Sequence, residues 1–335
     1  LVPLSNYKVN KVHTKPLYEH IINKNEYLKR FYETSLNFSN DISIKEKAMT
    51  SKKLDNNEQV KYKNIIRNMH FKEILKNTHS GFENNPTYLN ILEDLYNNNI
   101  IDYKLLTPSA LYYIKENRIG SVFSSFYFRA SILNPYLVYS LNHSILKGKK
   151  IFTPTLGWSS YCYGFLECPY VEEYVGTDVI NSVCKKTKTF ATKHYPEKKV
   201  EIFNSPSENL SKNASFIKKY TNHFDVVFFS PPYFKLELYS GKNQSTNMYK
   251  SYEEWLVKYW EATIQLCFKV LQSNGRLCYI LSGYGKNLEY DLVTDMNTVT
   301  SKYFTLKKII PMQNKNVHVT NHRTTGEQII IFEKK

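Results

Sequence analysis

Hydrophobic residues follow two different periods along the chain. In the first ~115 residues, apolar side chains recur every three or four positions in the segments 23–38, 57–77 and 86–101. This spacing is typical of amphipathic helices. Residues 40–59 are so polar and charged that they predict an exposed, mobile loop.

From about residue 150 onward, short apolar runs alternate with helical segments. Strand followed by helix, several times over, predicts an α/β fold with a mainly parallel sheet and helices on both faces. The last two runs have no room between them for an apolar crossover helix, so they predict an antiparallel hairpin. The predicted strands are Lys150–Thr153, Glu173–Thr177, Val200–Phe203, Asp225–Phe229, Arg276–Ser282, Phe304–Pro311 and Gln328–Glu333.

The clearest helix signal begins at Ser251. Glu254 stands three residues later, which is the spacing of a capping box. Asn274-Gly275 is a typical helix stop and predicts the C-terminal end.

Net charge indicates the kind of partner the protein binds, and cysteine content indicates the compartment in which it works. The net charge of +15 and the pI near 9.3 favour a polyanionic partner, most simply nucleic acid, with solubility and codon bias as the alternative. Five cysteines without a CxxC pair predict reduced thiols and an intracellular protein, in the cytoplasm or, in a eukaryotic or viral setting, the nucleus or a viral factory. No signal pattern and no membrane-spanning run is expected.

Two motifs stand where a parallel sheet binds ligands, off the carboxyl ends of its strands. Gly157 follows the first strand in "IFTPTLGWSSYCYGF", where a small residue allows the backbone to approach a ligand closely; an ordinary strand-to-helix turn is the alternative. Asp178 ends the second strand, 21 positions after Gly157, where a ribose diol is usually held. A helix N-cap is the other interpretation of Asp178.

The segment "FNSPSENL" after the third strand is ambiguous. Ser205, Ser207 or Glu208 either reaches an adenine amino group or caps the following helix, and capping is slightly favoured.

The segment "DVVFFSPPYF" ends a strand in an unusual way. Proline has no N–H for a sheet ladder, so the strand must stop at Ser230. The two prolines hold the chain extended, with a hydroxyl on one side and the Tyr233 ring on the other. A hydroxyl, a carbonyl and an aromatic face suit a planar group that carries an exocyclic amine, whereas the plainer interpretation is a Pro-Pro turn.

These residues carry a resemblance to a known family. "SPPY" after "DVVFF" resembles the (D/N/S)-P-P-(Y/F/W) signature of S-adenosylmethionine-dependent amino-methyltransferases that act on adenine N6 or cytosine N4. Roughly residues 115–335 resemble DNA methylases of phages and large DNA viruses. The resemblance implies a Rossmann-like class I methyltransferase sheet of seven strands with a final antiparallel hairpin, and the helical period of the first ~115 residues predicts a mainly helical N-terminal region before it. Residues 1–120 would be accessory and help to hold nucleic acid, and residues 121–335 would be catalytic.

The resemblance also implies roles for individual residues. The flipped-out base would be held by the catalytic segment Ser230, Pro231, Pro232 and Tyr233. Flipping is required because the amine is inaccessible inside a stacked duplex. The cofactor S-adenosyl-L-methionine would be bound by Thr153, Pro154, Thr155, Gly157, Trp158, Asp178, Val179, Ser205 and Phe128, the last within the segment 126–136. Lys235, Lys315 and Arg323 are the expected nucleic-acid contacts.

Departures from the family pattern keep alternatives open. Thr153 replaces a common acidic residue, and Ser159-Ser160 replace the commoner Gly-Gly. A catalytically silent DNA-binding subunit is therefore an alternative, as is a methyltransferase acting on RNA or protein. A homodimer, a partner subunit or a restriction–modification system is compatible with the sequence, and adenine and cytosine are equally open.

Other chemistries lack their motifs. There is no Pro-Cys dipeptide for a cytosine-C5 methylase and no GxxxxGK[ST] for a P-loop. His318 and His322 have no third ligand beside them in the sequence, so no metal site is predicted.

Overall fold

The computed structural model describes residues 41–70, 73–74, 78–80, 93–94, 97–98, 112, 130–239, 241–283, 290–313 and 324–335. The chain forms two compact units. The unit that contains the large sheet comprises Asp41–Met69, Ile132–Phe234 and Gly241–Lys335. The described part of the other unit includes a two-stranded antiparallel ribbon. The predicted helix 23–38 and most of the predicted helix 86–101 lie outside the described residues.

The large sheet has seven strands, as predicted. The order is β4-β3-β2-β5-β7-β9-β8, parallel up to β7, with β9 antiparallel to both of its neighbours. The predicted Rossmann-like sheet with a terminal antiparallel hairpin is therefore confirmed. The strands are β1 (Thr78–Ser80), β2 (Lys150–Thr153), β3 (Glu173–Asp178), β4 (Lys199–Asn204), β5 (Phe224–Phe229), β6 (Glu237–Tyr239), β7 (Leu271–Ser282), β8 (Phe304–Gln313) and β9 (Thr324–Lys334), of which β1 and β6 form the ribbon.

The central strands are buried because helices cover the sheet. Phe152 of β2 stacks on Phe224 of β5, with ring centroids 5.5 Å apart, and Phe228 meets Phe165 edge-on. Such contacts make the apolar runs of the sequence into strands that are buried on both faces. The helices are α1 (Val60–Met69), α2 (Pro135–Leu141), α3 (Ser160–Leu166), α4 (Asn181–His194), α5 (Ser207–Leu210), α6 (Ala214–Tyr220), α7 (Ser245–Met248), α8 (Tyr252–Trp255), α9 (Ala262–Val270) and α10 (Leu292–Ser301).

The helix predicted from Ser251 starts as expected but ends early. The Ser251 side chain accepts a hydrogen bond from the Glu254 N–H, and helical structure continues through a π-helical turn to Val270. The predicted stop at Asn274-Gly275 is wrong, since both residues lie within β7. The helix ends at Val270 because its carbonyl accepts the His223 N–H, which draws the next residue into pairing with β5.

The polar segment after residue 40 is not an exposed loop. Met49 and Leu54 are buried, and the Met49 N–H donates to the Ser140 hydroxyl at 3.0 Å. The Asn134 N–H donates to the Asn56 side chain at 2.6 Å. The prediction of a mobile loop was wrong. Two buried apolar side chains and hydrogen bonds to Ser140 and Asn134 are enough to hold this otherwise charged segment against the rest of its unit.

The cysteines are in the state that their number and spacing predict. All five cysteines are buried free thiols, so the prediction of reduced cysteines is confirmed. Among the helices of the described ranges, none has the length and apolar content needed to cross a membrane.

Candidate active site at the carboxyl edge of the sheet

The loop after β2 has an unusual backbone. Gly157, Trp158 and Ser159 form a 3₁₀ turn in which all three have positive φ, at 51°, 59° and 72°. A left-handed conformation costs roughly 1–2 kcal/mol for a residue other than glycine. Such strain persists only where the surroundings impose it, commonly at functional sites. Here the buried Ser159 hydroxyl is held by Thr187, with the two oxygens 2.6 Å apart.

Gly157 is required by a neighbouring side chain. A Cβ at this position would overlap the ring of Tyr161. The sequence predicted that this glycine allows close approach of a ligand, but the atoms that approach it are those of Tyr161. Tyr161 is itself buried and packs edge-on against Phe228 of β5, with centroids 5.1 Å apart.

The residues at the end of β2 differ in what they offer a ligand. Thr153 is fully buried, and its hydroxyl lies 2.6 Å from that of Tyr174, so this side chain belongs to the core. The role of Thr153 in cofactor binding stays a prediction, and its side chain is not available for that role. Pro154 is also buried, whereas Thr155 is half-buried. The hydroxyl oxygens of Thr155 and Ser160 are inaccessible and find no hydrogen-bond partner among the described residues.

Asp178 bridges the ends of β2 and β3. One carboxylate oxygen accepts the Leu156 N–H at 3.2 Å, and the other accepts the Ile180 N–H at 3.0 Å. Burial raises the pKa of Asp178, and hydrogen bonds from Ile180, Leu156 and Val179 offset only part of that effect. Ile180, not Asp178, precedes α4 as its cap residue, so the N-cap interpretation is wrong.

The turn after β4 also has no side-chain cap. Pro206 occupies the N-cap position of α5, so the slightly favoured capping interpretation is wrong. Ser205 is tied to β3 because its N–H donates to the Asp178 carbonyl at 3.1 Å. Glu208 is 6% exposed and accepts a hydrogen bond from the Tyr249 hydroxyl at 3.2 Å. Burial raises the pKa of Glu208 above its usual value.

Ser230, immediately after β5, is held at three atoms. Its N–H donates to the Tyr161 hydroxyl at 3.1 Å, and its carbonyl lies 3.5 Å from the same hydroxyl. Its own hydroxyl donates to the Ile280 carbonyl at 3.3 Å. Because the single O–H is used inside the protein, the lone pairs that remain on this oxygen can only accept.

The aromatic residue of the motif is fixed by the next strand. The Tyr233 hydroxyl accepts the N–H of Ser282, at the end of β7, at 2.9 Å. Tyr233 is half-buried, as is Pro232, whereas Pro231 is buried. Within the described chain, no group donates a hydrogen bond to the Pro231 carbonyl. Phe234 packs against Tyr252 and Trp255, which anchors the C-terminal side of the motif.

These contacts join the predicted residues into one continuous cluster. Ser230 touches Tyr161, whose ring covers Gly157, and the adjoining Leu156 N–H reaches Asp178. The sequence indicated both the loop and the motif but missed Tyr161 and Ser282, since neither belongs to a recognisable pattern. The only local signal for Tyr161 was its position one helical turn after Gly157.

The structure tests none of four further predicted contacts. Phe128, Lys315 and Arg323 lie outside the described residues, as do His318 and His322. Lys235 is exposed, has a φ of 58° and belongs to the other compact unit. Their roles stay predictions. Among the described side chains, no group of three His, Cys, Asp or Glu residues could hold a metal ion.

The cluster provides acceptors and no strong base. It combines the Asp178 carboxylate, whose pKa is raised, with a serine oxygen that only accepts and a fixed aromatic ring. Such a set can bind hydroxyl and amine donors and orient a planar amine.

Comparison with known proteins gives only distant matches. No family model matches the chain, and no curated protein matches it. Among solved structures, the N-methyltransferase NodS from Bradyrhizobium japonicum is 10% identical with a TM-score of 0.36, over 59% of this chain and 91% of that one. TrmN from Thermus thermophilus is 13% identical with a TM-score of 0.40, over 61% of this chain and 49% of that one. A SAM-dependent methyltransferase from Methanosarcina mazei is 11% identical with a TM-score of 0.37, over 55% and 92%. At these scores the matches carry no functional argument, and the fold rests on the strand order.

Proposed function

We propose that the protein is an S-adenosylmethionine-dependent methyltransferase that modifies the exocyclic amine of a nucleic-acid base, adenine N6 or cytosine N4, in DNA. The observation that carries the proposal is the state of Ser230. Its O–H donates to the Ile280 carbonyl, so its oxygen can only accept from a further partner, and the Pro231 carbonyl next to it in the chain receives no hydrogen bond from the described residues. Two acceptors next to the Tyr233 ring match the two N–H donors and the planar face of a base amine.

The residues at the ends of β2 and β3 fit a nucleoside-containing cofactor. Asp178 is half-buried and its carboxylate would bind ribose hydroxyl groups, and the orphaned hydroxyl of Thr155 is a second group that a ligand would satisfy. Trp158, Val179 and Ser205 adjoin these groups along the chain. S-adenosylmethionine, when bound, supplies an electrophilic methyl group.

The protein's own contribution to the reaction would be orientation. Ser230 and the Pro231 carbonyl accept the amine N–H groups, which directs the nitrogen lone pair away from them and towards the cofactor side. S-adenosylmethionine would donate its methyl group to the amine nitrogen and leave as S-adenosylhomocysteine, and the amine would pass one proton to water, while Ser230 and the Pro231 carbonyl hold the nitrogen in place. No strong base is required, since proximity and alignment supply most of the rate.

DNA is the proposed partner because of charge. The surplus of +15 is spread over a chain that would have to bind a polyanion and flip a base out of its stack. Lys235, Lys315 and Arg323 and the region 1–120 are the proposed contacts with the backbone.

A second candidate is a catalytically silent DNA-binding subunit. It is favoured by the loop after β2, where Ser159 and Ser160 stand in place of the commoner glycines and the Tyr161 ring lies against Gly157. Calorimetry with S-adenosylhomocysteine separates the two candidates. The enzyme should bind this product with a dissociation constant in the micromolar range, and no heat at high micromolar protein would reject the enzyme.

Transfer of a tritiated methyl group to duplex DNA, RNA and protein, assayed in parallel, tests the substrate. We expect label in DNA, and chromatography of the nucleosides would identify N6-methyladenine or N4-methylcytosine. Label only in RNA or protein would retain the methyltransferase and reject the DNA assignment.

A further inference from the structure

Tyr161 connects two parts of the candidate site that are 69 positions apart in sequence. Its ring lies over the Cα of Gly157, on the cofactor loop. Its hydroxyl accepts the N–H of Ser230, the first residue of the Ser-Pro-Pro-Tyr motif, at 3.1 Å. Its ring edge also packs on Phe228, two residues before that serine.

Each end of this connection is constrained. Gly157 cannot shift towards the ring without overlap, and the left-handed run Gly157–Ser159 is closed by the Ser159–Thr187 contact. At the other end, Pro231 and Pro232 restrict the backbone that follows Ser230. A displacement of the cofactor loop would therefore be transmitted to the serine through one buried ring.

We propose that Tyr161 is a positioning residue that fixes the Ser230 acceptor relative to the Gly157 loop, and so sets the distance between amine and methyl donor. The proposal rests on the proposed function for its kinetic part. Its structural part, the tie between the Tyr161 hydroxyl and the Ser230 N–H, does not. In-line transfer is sensitive to this distance, since a misplacement of about 1 Å can lower the rate by about 10²-fold.

Tyr161→Phe tests the tie, because it removes the hydroxyl and keeps the ring over Gly157. Tyr163→Phe is the matched control. Tyr163 lies on the same helix, is also buried, and its hydroxyl donates to the Ile42 carbonyl rather than to the motif. Melting temperatures of both variants should show whether each is folded.

Two measurements give the outcome. In Tyr161→Phe, but not in Tyr163→Phe, the Ser230 amide should exchange its hydrogen about fivefold faster, as for loss of one net hydrogen bond, by NMR on 15N-serine-labelled protein. The kcat of Tyr161→Phe for methyl transfer should fall about tenfold or more, with the dissociation constant of S-adenosylhomocysteine changed less than about threefold.

The outcomes separate this inference from the proposed function. If Ser230 exchanges faster in Tyr161→Phe but the wild-type protein transfers no methyl group, the tie is supported and the proposed function is rejected. Unchanged Ser230 exchange rejects the tie whatever the activity. Faster exchange with wild-type kcat shows that the tie does not position the reacting groups, and the proposal fails.

Discussion

Acidic side chains at the two edges of the large sheet differ in whether they have basic partners and in the direction of their pKa shifts. At the amino edge, Glu173 of β3 forms an ion pair with Lys199 and a hydrogen bond with the His223 ring, both at 2.7 Å. Burial alone would raise the pKa of Glu173, but hydrogen bonds from Lys199 and His223 outweigh it, so the pKa lies below its usual value. At the carboxyl edge, Glu208 and Asp178 form no ion pair with any basic side chain of the described chain, and burial raises the pKa of each.

The difference indicates which edge is built for a ligand. A buried carboxylate with a cationic partner serves the fold, and its charge is already compensated. A buried carboxylate without one is costly to the fold and is retained where it binds or orients something else. The inaccessible, unpartnered hydroxyl of Thr155 lies at the end of β2, at the same carboxyl edge.

The largest effect on activity is expected from substitutions in the Ser-Pro-Pro-Tyr motif at the carboxyl edge. Tyr233→Ala should lower methyl transfer by about 10²–10³-fold, because the amine loses the surface that aligns it. Affinity for S-adenosylhomocysteine should change only a few fold, and Pro232→Ala should behave alike. Tyr303→Ala is the matched control, since Tyr303 is also half-buried and its hydroxyl also accepts a hydrogen bond, from Gln265 at 2.8 Å. Wild-type turnover in Tyr233→Ala and Pro232→Ala would reject the assignment of the site.

Two aspartates allow the edges to be compared with the same substitution. Asp178 accepts two backbone N–H groups at the carboxyl edge, and Asp225 accepts those of Lys149 and Lys150 at the amino edge. Asp178→Asn should weaken S-adenosylhomocysteine binding by about 10–100-fold, the value of a hydrogen bond to a charged group, measured by calorimetry. Asp225→Asn should leave that affinity unchanged. Equal losses in the two variants would mean that the carboxyl edge is not the ligand edge.

Which of these features the sequence predicts depends on how local their cause is. β2 was predicted with its observed bounds because the apolar pair Ile151-Phe152 is followed closely by Pro154, which cannot donate to a sheet ladder. Asp178 and Ser230 were predicted to meet at one edge because parallel strands bring their carboxyl ends together. Tyr161 was missed because its role depends on a partner 69 positions away, and one tyrosine among 28 carries no mark of such a role.

The pH dependence of stability sharpens the comparison between Glu173 and Glu208, both nearly fully buried. Glu173→Gln should lower the free energy of unfolding at pH 7 by about 1–3 kcal/mol, because Lys199 and His223 lose their partner. The lowered pKa of Glu173 places this stabilisation above the ordinary value of 4.5, and it disappears as pH falls through the folded-state pKa.

Glu208→Gln should not lower the free energy of unfolding at pH 7, in contrast to Glu173→Gln. Because the pKa of Glu208 is raised in the folded protein, the folded state takes up the proton at a higher pH than the unfolded state. This contribution to wild-type stability is present in acid and is lost as pH rises through the folded-state pKa. The variant should therefore equal or exceed wild-type stability at pH 7 and lose this advantage in acid. Urea denaturation of both variants from pH 4 to pH 8 measures the two trends, and parallel curves would contradict the contrast between the edges.

The smallest expected effect concerns Thr155 and has two parts that oppose each other. Thr155→Val replaces a buried hydroxyl that has no partner among the described residues with a methyl group of similar size. Without ligand, the variant should be more stable than the wild type by about 0.5–1 kcal/mol, since the desolvation penalty of an unsatisfied hydroxyl is removed. With S-adenosylhomocysteine, the increase in melting temperature should be smaller than in the wild type, because the ligand no longer gains that hydrogen bond.

Thr263→Val is the control, since the Thr263 hydroxyl already lies 3.0 Å from that of Ser207, and its loss should destabilise the protein with and without ligand. If Thr155→Val instead destabilised the ligand-free protein, its hydroxyl would have a partner within the chain and would no longer distinguish the carboxyl edge from the amino edge.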